Sequence, residues 1–138
     1  MIYLNMKTRY NNNYISSKIS KAMYTDLYTG ERLSTTHHKW FEYAGQIALE
    51  SDLLFKLGCV ATYGGKMIAC GCNNHNNYSK YDNMCDFSCS CHAEINVIRK
   101  CLKLIGEEKM KRVNLYVARM DSKNNFQNSA PCYDCTRE

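Results

Sequence analysis

The sequence predicts an α/β domain with helices packed on a sheet, and three observations carry that reading. Two stretches, residues 34–57 and 91–105, repeat apolar side chains at helical spacing. Between them, two short strand-like runs flank Gly64-Gly65. A further strand-like run, Val113-Asn114-Leu115-Tyr116-Val117-Ala118, follows the second helical stretch.

Each element has a local cause. Residues 1–33 are rich in Asn, Tyr, Ser and Lys without a sustained period, and read as a basic, extended or poorly ordered arm preceding a domain over 34–138. Ser34 to Thr36 offer N-caps for a first helix. Trp40, Phe41, Ala44, Ile47, Ala48, Leu54 and Leu57 give it one apolar face, and Gly58 is the expected stop. Cys59-Val60-Ala61-Thr62-Tyr63 and Lys66-Met67-Ile68-Ala69-Cys70-Gly71 form the expected hairpin. The polar, Asn-rich residues 73–90 read as a loop. Ile95, Ile98, Cys101, Leu102 and Ile105 stripe the second helix, which Gly106 ends. Residues 120–130 read as loop, and Pro131 suits the first position of another helix, where its missing N–H costs nothing.

Composition narrows the class. The 138 residues suffice for one core, and 45% are hydrophobic. No run reaches the roughly 18 apolar residues of a membrane span. The first residues lack a secretory apolar core. The expected location is cytoplasmic, where the nine cysteines stay mostly reduced, and their odd number argues against a complete disulfide framework. The net charge of +5 is uneven: residues 1–40 carry six Lys or Arg against two Asp or Glu, whereas residues 41–138 carry twelve against eleven. The body is thus nearly neutral and does not suggest a polynucleotide-binding surface, although nucleic acid stays open as a partner.

Two short stretches make chemical sense together: Cys91-His92-Ala93-Glu94 and Pro131-Cys132-Tyr133-Asp134-Cys135. With nine cysteines, a lone C-x-x-C is weak, and a lone His-x-Glu is weaker. Their conjunction is specific, because the chain's one proline directly precedes its one C-x-x-C, and the His-Ala-Glu opens a helical pattern upstream. His92, Cys132 and Cys135 supply an imidazole and two sulfurs, a donor set suited to zinc with the fourth position open to water. Two cysteines three apart share one side of a first helical turn, where the helix dipole lowers thiol pKa. Glu94 is left over as a proton carrier.

A His-x-Glu followed by Pro-Cys-x-x-Cys is the pattern of zinc nucleobase deaminases. Over roughly residues 35 to 135 the sequence resembles the cytidine and deoxycytidylate deaminase superfamily. The resemblance implies a cytidine-deaminase-like mixed sheet flanked by helices and one catalytic Zn2+ on His92, Cys132 and Cys135. It implies hydrolytic deamination in which Glu94 shuttles protons. His92-Ala93-Glu94-Ile95-Asn96-Val97-Ile98 is similar to the His-Ala-Glu-x-Asn-Ala-Ile run of deoxycytidylate deaminases, with Val97 in place of Ala. Gly71-Cys72-Asn73 resembles their glycine-x-asparagine, whose asparagine contacts the sugar. Asn73, Asn96 and the carbonyl of Ala130 are therefore expected substrate contacts.

The expected reaction is deamination of a free cytosine nucleotide, dCMP to dUMP, with release of ammonia and a homo-oligomeric assembly. The rivals are a deaminase acting on cytosine or adenine in nucleic acid, and a truncated, non-catalytic zinc-stabilised interaction module. Cys85, Cys89 and Cys91, with His75, Cys70 and Cys72, form a second cluster that either holds a structural zinc or consists of reduced cysteines. Only three of the family's five strands are legible, and its carboxy-terminal helix and last two strands are expected to be missing. The strand at 113–118 is then expected to expose one unpaired edge, leaving the chain poorly soluble or oligomeric and weakly active.

Overall fold

The structure, a computed structural model, describes residues 2–6, 24–26, 34–75, 90–127 and 129. In chain order the elements are β1 (Ile2–Met6), β2 (Tyr24–Asp26), α1 (Thr35–Ala48), β3 (Lys56–Tyr63), β4 (Lys66–Cys72), α2 (Ala93–Ile105), a one-turn α3 (Glu107–Met110), β5 (Asn114–Met120) and β6 (Phe126–Gln127). The strands join one mixed sheet in the order β2-β1-β5-β3-β4, with β6 also on β5. None of the helices is long and apolar enough to cross a membrane among the described residues.

The hairpin forms where expected. Gly64 and Gly65 have φ of 57° and 76°, the two positive values that a tight turn matching strand twist requires. β3 and β4 pair antiparallel from Gly58↔Cys72 to Tyr63↔Lys66, with an irregularity between Ala61 and Thr62.

Two expectations are corrected. The first helix does not run to residue 57. α1 is capped by Ser34, whose Oγ accepts from the His37 N–H, and it ends at Ala48. Leu49, Glu50 and Ser51 then donate to Gln46, Ile47 and Ala48 in a tightened last turn. The Ser51 hydroxyl accepts from Leu53 N–H at 3.2 Å and donates to the Asn73 carbonyl at 2.8 Å, offering the backbone an alternative to more helix. Leu54, expected on the buried face, is 83% exposed. Gly58 does not stop a helix but sits inside β3, pressed against the α1 backbone at Ala44 and Ala48.

The second correction concerns the sheet edge. β5 is not left with an unpaired side. β3 pairs with it antiparallel along one edge, from Lys56↔Met120 to Thr62↔Asn114. Along the other, β1 pairs in parallel at Tyr116 and Val117, and β6 pairs antiparallel at Arg119 and Met120. The arm thus contributes strands, β2 pairing antiparallel with β1, and the expected loop over 120–130 contains a short hairpin. Edge backbone groups need partners, and a β-rich Ile-Tyr-Leu run can supply them from far away in the chain.

The helices cover opposite faces. Phe41 and Ala44 of α1 pack on Val60, Tyr116 and Ala118. Ile95, Ile98 and Cys101 of α2 pack on Cys59, Ala61, Leu115 and Val117. The alternation follows from the strand period of two. Phe41, 1% exposed and edge-on to Tyr116 at 5.4 Å between ring centres, contributes about 1.5–3 kcal/mol by burial.

Candidate active site

The start of α2 is fixed by an isolated bridge. Asn74 N–H donates to the Cys91 carbonyl at 3.0 Å, and Cys91 N–H donates back to the Asn74 carbonyl at 2.8 Å. The chain therefore leaves the end of β4 and re-enters α2 beside it. His92 is the N-cap, with extended φ and ψ of −69° and 151°, and its carbonyl accepts from Asn96 N–H at 3.0 Å. Glu94 stands in the first turn, where exposed N–H groups and the helix dipole favour a carboxylate. It is only 2% exposed.

A cavity of about 420 Å³ opens at this point, lined by Leu53, Leu54, Phe55, Leu57, Asn73, Ser90, His92, Ala93 and Glu94. An imidazole and a buried carboxylate two residues apart thus share one pocket. Burial pushes the Cys59 thiol well above its ordinary range, and the charge of Glu94 adds to that shift, so the carboxylate acts across the base of the site onto β3.

Asn73, expected at the substrate, lines the cavity but is also structural. Its Nδ2 donates to the Phe55 carbonyl at 2.6 Å, and its Oδ1 accepts from Leu57 N–H at 2.9 Å. An amide with two donors and two acceptor sites keeps one of each after those bonds. Asn96 is placed differently. It is absent from the cavity lining, and its Nδ2 donates to the Cys72 carbonyl at 2.9 Å, bracing β4 against α2. Ala130, Cys132 and Cys135 lie outside the described residues, as does Pro131.

The residues that sequence reasoning missed are the wall formed by Leu53, Leu54, Phe55 and Leu57. Leu54 and Leu57 matched the helical period, which concealed the loop. The polar Ser51-Asp52 pair was the available signal, since both residues favour turns.

The site suits a zinc ion in part: the His92 imidazole is a nitrogen donor of the kind zinc takes, and the buried carboxylate of Glu94 lines the same pocket. Among the described residues no group of three or more His, Cys, Asp or Glu converges. The second cysteine cluster gains no support. Cys85 and Cys89 lie outside the described residues, Cys91 is buried with its Sγ 3.5 Å from an Arg99 guanidinium nitrogen, and exposed His75 lies 3.8 Å from Asp52.

The family model for the cytidine and deoxycytidylate deaminase zinc-binding region matches residues 34–138. The chain belongs to that family. Its mixed α/β fold, with helices on a sheet, agrees with a deaminase-like domain. The match spans both the described His92-Ala93-Glu94 and the Pro131 to Cys135 segment. Comparison with curated proteins and with solved structures gives no match. As a member of the family the chain is a zinc-binding domain of the cytidine deaminase class.

Proposed function

We propose that the protein hydrolyses the exocyclic amine of a free cytosine nucleotide, converting dCMP to dUMP and releasing ammonia. The observation that carries this reading is Glu94, a buried carboxylate in the first turn of α2, sharing a cavity with His92. In this reading His92, Cys132 and Cys135 hold the zinc, which when bound supplies a water acidic enough to ionise near neutral pH. Glu94 takes the proton at its carboxylate and delivers it to N3 of the ring. The hydroxide oxygen bonds to C4 as N3 is protonated; Glu94 then moves the proton of the added hydroxyl to the amine, and ammonia leaves as the C4–N bond breaks and the C4–O bond becomes a carbonyl. The cavity wall of Leu53, Leu57 and Ala93 excludes water from the base, and the remaining amide donor and acceptor of Asn73 face the sugar. The Ala130 carbonyl is assigned to the amine. The near-neutral charge over residues 41–138 favours a small substrate over a polynucleotide.

The test is ammonia release from dCMP by the zinc-loaded chain, with Glu94→Gln beside it. The expected result is turnover by the wild type and a loss of about 10²- to 10⁴-fold in the variant, the range of general acid–base catalysis. A wild type that binds zinc but releases no ammonia from any cytosine substrate would establish the non-catalytic module instead.

A further inference from the structure

One cation, Arg119, packs behind the cavity wall, against two of its lining residues, and has no role in the chemistry above. Residues of β5 alternate across the sheet: Leu115 and Val117 turn to the face covered by α2, and Arg119 is next in that series. It therefore shares the face on which α2 presents His92 and Glu94. Arg119 lies directly opposite Leu57, a cavity-lining residue, and cross-strand neighbours have Cβ atoms about 5 Å apart. Its guanidinium carbon sits 4.9 Å from the ring centre of Phe55, which also lines the cavity.

This arrangement fixes what the guanidinium can offer. The contact with Phe55 is a cation–π one, and a guanidinium carries five N–H donors in a fork that matches an oxyanion. Among the described residues no carboxylate pairs with it; the ion pair found there joins His75 and Asp52. Asp121, two residues along the chain, is committed to its own turn by the N–H groups of Lys123 at 2.8 Å and Asn125 at 2.9 Å and by Gln127 Nε2 at 2.9 Å. A half-buried guanidinium beside a largely apolar pocket suits an anionic ligand that forms charge-assisted hydrogen bonds to it.

We propose that Arg119 binds the 5′-phosphate of the cytosine nucleotide and so selects a nucleotide over its nucleoside. The proposal rests on the cytosine-nucleotide reading and names the group that makes the distinction. A terminal phosphate monoester carries up to two negative charges against one for a phosphodiester, so it is the stronger partner for the guanidinium.

The experiment compares deoxycytidine, dCMP and a single-stranded oligonucleotide carrying one cytosine, in deamination and in equilibrium binding to the zinc-loaded full chain. The expected result is a wild-type preference for dCMP. The ratio of dCMP to deoxycytidine, in kcat/KM and in Kd, should fall about 10- to 100-fold in Arg119→Gln, the worth of a hydrogen bond to a charged group. Arg119→Lys should restore part of it, with the melting temperature of all three proteins alike. Equal losses on dCMP and deoxycytidine would overturn the assignment, as would a wild type that binds the two equally or uses Arg119 to prefer the oligonucleotide. A wild type that deaminates nothing, yet binds dCMP more tightly than deoxycytidine through Arg119, would refute the deaminase reading and uphold the phosphate site.

Discussion

Asn73 donates its side-chain N–H to the carbonyl of Phe55 at 2.6 Å, tying the end of β4 to the loop that walls the cavity. The same amide accepts from Leu57 N–H, and the Asn73 carbonyl accepts from the Ser51 hydroxyl. One residue thus holds both ends of the 51–57 segment against the sheet. The loop needs such a clamp, because Leu54 and Phe55 are 83% and 59% exposed and give it little buried apolar surface.

Replacing Asn73 by Ala removes two bonds to backbone and leaves the half-buried Phe55 carbonyl and Leu57 N–H without that partner. The expected cost is about 1–3 kcal/mol, with a raised KM for dCMP as the wall loosens. Urea unfolding reads the first and steady-state kinetics the second. An unchanged unfolding midpoint would show that the clamp carries no stability.

Gly58 permits the close approach of β3 to α1. A Cβ there would meet the Ala44 carbonyl oxygen and lie 2.5 Å from Ala48 N, both backbone atoms that cannot rotate away. Gly58→Ala is expected to destabilise by about 3 kcal/mol, at the upper end for overpacking. Gly65→Ala tests a different cost: nothing lies near a Cβ there, so only its φ of 76° is penalised, by about 1 kcal/mol. Denaturant midpoints of the two variants should rank in that order.

Chelation should remove both activity and part of the stability, since ligand binding to the native state adds to folding free energy. In His92→Ala, Cys132→Ala and Cys135→Ala the zinc content should fall, whereas Glu94→Gln should retain it. Metal analysis by mass spectrometry separates the two groups. Full zinc content in both cysteine variants would remove them from the ligand set.

Asp121 gives a pH dependence. The Asn125 N–H, ahead of the Lys123 N–H and the Gln127 amide, holds its carboxyl below the usual carboxylate range. A folded-state value below the unfolded one means stability that is present above the unfolded pKa and lost as pH falls through the folded one. Its exposure keeps the effect small. Asp121→Asn should flatten the acid limb of the stability curve, and thermal melts at a series of acidic pH values check it.

Local signals were legible wherever a backbone geometry demanded a particular residue. Gly64 and Gly65 marked the hairpin because both need positive φ, and Gly106, with φ of 75°, ended α2. The placement of His92 and Glu94 at the opening of α2 followed from the apolar stripe of Ile95, Ile98 and Cys101, which set the helix phase. Spacing therefore determined that the two groups would stand together at the start of α2, while the cavity they line comes from Leu53, Leu54, Phe55, Leu57 and Asn73.

What lay beyond it depended on contacts between distant segments. Leu54 and Leu57 continue the helical period of α1 and so outweighed the Ser51-Asp52 turn signal for its end at Ala48. The reason is tertiary: Ser51 and residues 55–57 bond to Asn73, and Gly58 must lie flat against α1. The parallel partnership of β1 with β5 joins the first residues to Tyr116 and Val117 across most of the chain, and no local pattern encodes it. Strand register is what places Arg119 opposite Leu57 and against Phe55. Periodicity determines which face a residue takes within its own element. Only the pairing of elements decides what that face meets.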